Sequence, residues 1–330
     1  MLDRLDITDQ ALLDDFQRDF PLVDRPFAAI AARIAIPETE AIARLRALKA
    51  AGTISRVGAT VRPNTAGAST LAALAVPDER IEEVAAIVGQ EDGVNHSYLR
   101  EHDWNLWFVA TAPDPAALQA SLHRIGARAG LDVLDLRLKR AFNIDLGFSL
   151  RDRAARPCST AQADLSALRD SDRPILHALS QGLDLVPRPY AALAARLGCD
   201  DTALRTRIGA LARARLITRL GVIVRHRAVG WSANAMVVWT LPDARIEAAG
   251  TALARLPGVT LCYQRETVPG VWPHGLFSMI HARSRSEALE VLDRAARLPE
   301  LHGADHQALF STRCFKQTGA QIARNPDKAA

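Results

Sequence analysis

The chain has 330 residues, 48% of them hydrophobic, enough for two to four globular domains with real cores. No uninterrupted apolar stretch reaches the roughly 18 residues a bilayer span needs, and the opening Met-Leu-Asp-Arg-Leu-Asp is acidic where a signal peptide is basic, so a cytoplasmic protein with no membrane contact is expected. The formal net charge is +4 and 37 of the 41 basic residues are arginine, a bias read first as GC-rich codon usage, with a need for carboxylate or phosphate forks as the alternative.

In chain order, residues 6–19 place Ile7, Leu12, Leu13 and Phe16 at helical spacing. Pro26 opens a second helix running to Ile34, and a third runs from Pro37 to Ala50, ended by Gly52. An extended segment, Ile54–Arg62, follows, so residues 1–63 are predicted to form a winged helix-turn-helix. Then come strand 69–76, helix 79–88, strand 93–101, strand 104–112, helix 114–127 and strand 132–140. That βαββαβ order over 64–150 predicts a ferredoxin-like sandwich, an antiparallel sheet with both helices on one face.

The same text returns. Phe20-Pro-Leu-Val-Asp-Arg-Pro-Phe-Ala-Ala-Ile-Ala-Ala-Arg-Ile34 reappears as Leu183-Asp-Leu-Val-Pro-Arg-Pro-Tyr-Ala-Ala-Leu-Ala-Ala-Arg-Leu197, and Pro77-Asp-Glu-Arg-Ile-Glu82 as Pro242-Asp-Ala-Arg-Ile-Glu247. The reading is an α+β tandem duplication. A linker at 151–168 joins the halves, a second winged helix covers 169–228, a second ferredoxin-like domain 229–320, and a tail 321–330. Each sheet has helices on one face only, so the two are expected to pack sheet to sheet around a cleft.

The stretch from Gly93 to Phe108 concentrates chemistry. On its first strand His96, Tyr98, Arg100 and His102 share a face by alternation, and a face meant for an apolar core does not carry two imidazoles, a phenol and a guanidinium. A straight strand separates the two histidines by about 20 Å. Trp104 and Trp107 offer flat apolar area, and by parity only one of them faces the cleft with its strand. Tyr98 and Arg100 recur as Tyr263 and Arg265, whereas His96 becomes Leu261 and the connection after Glu266 is five residues longer. A single chemical centre is therefore expected, built mainly by the first half. His274 and His281 are weaker candidates, and His123, His177, His226, His302 and His306 read as surface or core residues. The four cysteines, Cys158, Cys199, Cys262 and Cys314, are scattered and predict free thiols rather than a zinc site.

A winged helix followed by a ferredoxin-like domain resembles the Lrp/AsnC transcription regulators. In detail the chain resembles the siroheme decarboxylases. The first half is similar to their D-type subunit through His96-Ser-Tyr-Leu-Arg-Glu-His102 and Trp104-Asn-Leu-Trp-Phe108. The second is similar to the L-type through Leu261-Cys-Tyr-Gln-Arg265, Trp272-Pro-His-Gly-Leu-Phe-Ser-Met-Ile-His281 and Ser311-Thr-Arg-Cys-Phe-Lys-Gln-Thr-Gly319. His274 departs from that pattern, standing where an aromatic residue is usual, as does Gly275 where Asn is usual. The resemblance implies removal of CO2 from the two acetate side chains of siroheme, giving didecarboxysiroheme for haem d1 or an alternative haem pathway. It also implies no organic cofactor or protein-held metal, and His96 and His102 as catalytic histidines.

Each decarboxylation consumes one proton at the carbon left behind, and histidine titrates near the working pH. The two histidines serve two reacting side chains, or one donates while the other orients substrate or touches its iron. Siroheme is a polyanion, so fixed cations are needed: Arg100 and Arg265 with Tyr98 and Tyr263 as donors, and Trp104, Asn105, Trp107 and His274 as further substrate contacts. Further oligomerisation and contact with other haem d1 biosynthesis proteins fit the same reading.

The rival is a DNA-binding regulator of the Lrp/AsnC type, with or without haem sensing. Its third helix should open on basic or amide residues. Here the openings carry Glu38 and Glu40, and Asp200 and Asp201, which cap a helix but repel phosphate. Arg44, Arg46, Arg205 and Arg207 keep this reading open, but DNA is not the expected partner.

Overall fold

A computed structural model describes residues 5–144 and 163–320. Cys158, the tail and most of the expected linker lie outside the described residues. The first half contributes α1 (Ile7–Asp14), α2 (Pro26–Arg33), α3 (Glu38–Ala50), β1 (Ile54–Val61), β2 (Ala68–Leu74), α4 (Ile81–Gln90), β3 (Val94–Arg100), β4 (Leu106–Ala112), α5 (Pro115–Ala129) and β5 (Leu134–Asn143). The second contributes α6 (Arg173–Gln181), α7 (Pro189–Leu197), α8 (Asp201–Arg213), β6 (Ile217–Val224), β7 (Ala233–Thr240), α9 (Asp243–Arg255), β8 (Val259–Arg265), β9 (Leu276–Ala282), α10 (Arg285–Ala296) and β10 (Asp305–Gln317). No described helix is long and apolar enough to cross a membrane.

The chain divides into two compact units, and the division does not follow the halves: one unit gathers both helix-turn-helix segments, the other both sheets. In the first unit the helix ends follow local chemistry. The Asp6 carboxylate accepts from the Asp9 N–H at the start of α1, Asp200 accepts from the Ala203 N–H at the start of α8, and prolines open α2 and α7. The extended segments that follow the three helices in each half pair with each other, β1 antiparallel to β6 with Gly58 opposite Gly221. Both glycines are there for close approach: a Cβ on Gly58 would stand 2.5 Å from the Leu179 carbonyl oxygen, and one on Gly221 2.3 Å from the Gln17 backbone.

The second unit holds two four-stranded sheets of ferredoxin-like order, β3-β4-β2-β5 and β8-β9-β7-β10. Each has its own apolar core under its helices. Val84, Val88, Leu118 and Leu122 pack on Leu74, Leu106 and Phe108 in one, and Ile246, Leu253 and Val291 pack on Val237, Trp239 and Ile280 in the other. The expected stacking of two separate sheets does not form. β5 hydrogen-bonds to β8, with Ala141 opposite Tyr263, and β10 to β3, with Cys314 opposite Tyr98, so the eight strands close into a barrel.

The reason is strand length. β10 has 13 residues, pairing β7 with its first part and β3 with its second, while β5 pairs β2 over Leu134–Arg137 and β8 from Leu138 onward. Closure satisfies edge N–H and C=O groups that face-to-face stacking would leave exposed.

An eight-stranded barrel is just wide enough for side chains or one small ligand. Accordingly the space expected as an open cleft carries a buried apolar cluster drawn from both halves, including Trp107, Leu136, Met236, Trp272, Phe277 and Leu309. β3 and β8 lie four places apart in an all-antiparallel barrel and so run the same way. Their connections, 101–105 and 266–275, therefore emerge at one end.

Candidate active site

Register assigns the faces. Tyr98 stands opposite Trp107 and His96 opposite Val109, so His96, Tyr98 and Arg100 line the inner wall, while Ser97 and Leu99, opposite Phe108 and Leu106, face the helices. The His96 and Tyr98 rings stack at 6.4 Å, and the Arg100 guanidinium carbon sits 5.6 Å from the Tyr98 ring centroid. Arg100 is buried and donates to the Leu309 carbonyl at 3.0 Å and to Asn234 Oδ1 at 3.3 Å, both from the second half.

The register shifts between Val94 and His96, a bulge at which Asn95 turns toward its neighbour. Its Oδ1 lies 2.6 Å from His96 Nδ1, and its Nδ2 donates to Thr111 Oγ1 at 3.3 Å. With the amide oriented in that way, Oδ1 accepts and Nδ1 carries hydrogen in the neutral ring. Nε2 is then the nitrogen that exchanges a proton. Asn95 is absent from the expected site because regular alternation puts it on the opposite face from His96.

His102 is not on the strand with these residues. β3 ends at Arg100, and His102 lies in the connection, where its Nδ1 accepts from the Trp104 N–H at 2.9 Å and its Nε2 bonds Gln307 Oε1 at 3.0 Å. Around it is an aromatic group centred on Trp272, whose ring lies 5.4 Å from His102, 5.2 Å from Trp107, 4.9 Å from His274 and 6.3 Å from Phe277. Trp272 is 1% exposed, and its indole N–H has no partner among the described residues. It was legible as part of a motif but not as a site residue, because it falls in a connection five residues longer than its first-half counterpart, which blurs the comparison between the halves.

Trp104 and Trp107 both reach the interior. Trp107 does so from its strand and Trp104 from the connection, its carbonyl accepting the Trp107 indole N–H at 2.6 Å. Strand parity does not govern Trp104, because the strand begins only at Leu106. Asn105 spends its amide differently: Oδ1 accepts from the Val76 N–H at 3.0 Å and Nδ2 donates to the Val76 carbonyl at 2.8 Å, pinning the connection.

In the second half Arg265 donates to the Leu136 carbonyl at 2.9 Å, the counterpart of Arg100 on Leu309, and lies 5.1 Å from the Tyr263 ring. Burial pulls its guanidinium down to about 10, still a cation at neutral pH, and pushes the Tyr263 phenol up. His274 is buried with Nδ1 2.7 Å from Thr240 Oγ1, and burial holds it below the usual histidine range. Cys199, Cys262 and Cys314 are free thiols.

Two families match the chain in both halves. The AsnC-like ligand binding domain covers residues 66–143 and 228–316, and the siroheme decarboxylase NirDL-like HTH domain covers 9–54 and 172–217. The siroheme decarboxylase NirDL subunit of Paracoccus denitrificans is 62% identical over 319 residues, 97% of this chain and 98% of that one. The siroheme decarboxylase NirD subunit of Stutzerimonas stutzeri is 47% identical over 148 residues, 45% of this chain and 97% of that one. A crystal structure of siroheme decarboxylase NirDL in complex with an iron-uroporphyrin III analogue, 27% identical, superposes with a TM-score of 0.66 over 95% of this chain and 92% of that one. Matched by the family's domains in each half and by a close relative along nearly its whole length, the chain belongs to the siroheme decarboxylase NirDL family.

Proposed function

We propose that this siroheme decarboxylase carries out its chemistry on the inner wall of the first half's sheet, with His96 as the proton donor. The carrying observation is the inward row of imidazole, phenol and guanidinium at His96, Tyr98 and Arg100. Loss of CO2 from an acetate arm leaves negative charge on its methylene carbon. His96 as imidazolium delivers its Nε2 proton there and is left as the neutral ring, its Nδ1 hydrogen held by Asn95 throughout. His102 has both ring nitrogens engaged by its own connection and Gln307, so it holds the rim rather than donating.

Arg100 and Arg265 grip carboxylates of the ring, with Tyr98 and Tyr263 as further donors, and Trp104, Trp107 and His274 form apolar wall. The barrel interior already carries the buried apolar cluster of Trp107, Met236, Trp272 and Phe277, so one edge of the macrocycle enters and the rest stays at the mouth. The solved neighbour's complex with an iron-uroporphyrin III analogue supports a carboxylate-bearing ring as ligand. The steps use no organic cofactor and no protein-held metal, the iron being the substrate's own. The enzyme is placed in the cytoplasm, and its helix-turn-helix segments are read as retained architecture rather than as DNA readers.

The test is anaerobic turnover of siroheme by His96→Ala, following CO2 and product mass. The expected result is a loss of about 10²- to 10⁴-fold in rate with ring binding retained. Unimpaired turnover in His96→Ala, with loss in His102→Ala instead, would reverse the assignment.

A further inference from the structure

We propose that His281 is a positioning residue that aims the Arg100 guanidinium through Asn234, so that the second half sets the direction of the first half's carboxylate grip. The inference rests on the reading above, in which Arg100 holds a carboxylate of the ring.

His281 is buried near the end of β9, directly opposite Asn234 on β7. Its Nδ1 lies 2.7 Å from Thr260 Oγ1 and its Nε2 2.7 Å from Asn234 Nδ2. The direction of each bond follows from counting hydrogens. The single hydroxyl hydrogen of Thr260 goes to the Met279 carbonyl at 3.1 Å, so toward His281 the hydroxyl accepts, and Nδ1 carries the ring hydrogen. Nε2 is then a lone pair that accepts from the Asn234 amide. This leaves Asn234 Oδ1 facing Arg100 Nη1, which donates to it. Turning the amide over would oppose NH2 to guanidinium and oxygen to the imidazole lone pair, losing both bonds. An imidazolium would lose the Asn234 bond as well, so the relay needs a neutral ring. Its direction is fixed from Met279 to Arg100.

The duplication separates this arrangement from what the fold requires. Asn234 opposite His281 corresponds in register to Ser69 opposite Thr111 in the first half. The backbone grip recurs, Arg100 on Leu309 and Arg265 on Leu136, whereas the imidazole and its amide belong to one half only. A sheet of this kind therefore stands without the relay. What the relay adds is a side-chain acceptor for the guanidinium that shares a wall with His96.

Soret titration of the full chain with iron uroporphyrin tests the proposal. His281→Leu should weaken binding about five- to twentyfold, and the double variant Asn234→Ser, His281→Thr should do the same. That double variant copies a pair the same fold already accommodates, which covers the case in which His281→Leu does not fold. His281→Gln should bind within about threefold of wild type, since its amide can accept from Asn234 and donate to Thr260. In an Arg100→Met background, itself weakened, neither set should cause further loss. Equal losses in both backgrounds, or wild-type affinity for the double variant, would overturn the relay and leave the Arg100 grip standing. Wild-type affinity for Arg100→Met would overturn both.

Discussion

Two histidines six positions apart are held in opposite tautomers, and the difference is set by single neighbours. Asn95 accepts from Nδ1 of His96, while the Trp104 N–H donates to Nδ1 of His102. Sequence alternation identified the inward row because Tyr98, Arg100 and their repeats Tyr263 and Arg265 keep strand parity. It extends that row too far, to His102, which lies in the connection, and it leaves out Asn95, displaced by a bulge; Asn105, a contact expected from its motif, has its amide spent on Val76. His274 carries a consequence for pH. Burial is the main cause that lowers its value, with His102 lowering it further and Asp305 opposing. The folded ring therefore refuses a proton that the unfolded chain accepts. Its stabilising contribution is whole above the ordinary value of 6.5 and is lost as pH falls from there through the folded value. One such proton is worth at most about 1.4 kcal/mol per pH unit. Urea unfolding between pH 7.5 and 5 should show stability dropping on the acid side, and His274→Phe should lessen that slope, the part due to His177, which burial lowers likewise, remaining.

At the scale of elements, helices and strands were legible because their periodicities, caps and breakers are local. How the strands pair between halves was not, because the outer reaches of β5 and β10 look the same whether they end free or join another sheet. Paired wings and a closed barrel are consequences of long-range pairing. The arginines that kept the DNA reading open are also decided by tertiary contacts. Arg44 pairs with Asp6, Asp9 and Glu40, Arg205 with Asp201, and Arg207 with the buried Asp172, while Arg46 donates to the Leu185 carbonyl. Phosphate would have to displace these partners, and Glu38 and Asp201 sit at the helix openings it would approach. Gel shifts on the chain's own upstream DNA at low salt should show no specific complex. A salt-sensitive shift at nanomolar protein would contradict that expectation.

At the scale of the molecule, the duplication supplies two sheets, and neither sheet is complete by itself. Without the second half, β3 loses β10 along one edge and β5 loses β8 over Leu138–Asn143, leaving two unpaired edges on a single sheet. The two halves should therefore associate without a covalent joint. Expressed as separate chains divided within residues 145–162, they should co-elute as a one-to-one pair and bind iron uroporphyrin as the intact chain does. The first half alone should self-pair or aggregate, because pairing with its own kind is the remaining way to cover those edges. Such a self-pair would duplicate His96 and Arg100 yet lack Asn234, His281 and Trp272, so its affinity for the ring should fall even where the barrel closes. A first half that stays monomeric and binds as tightly as the whole would mean that the second half neither completes the sheet nor aims the guanidinium.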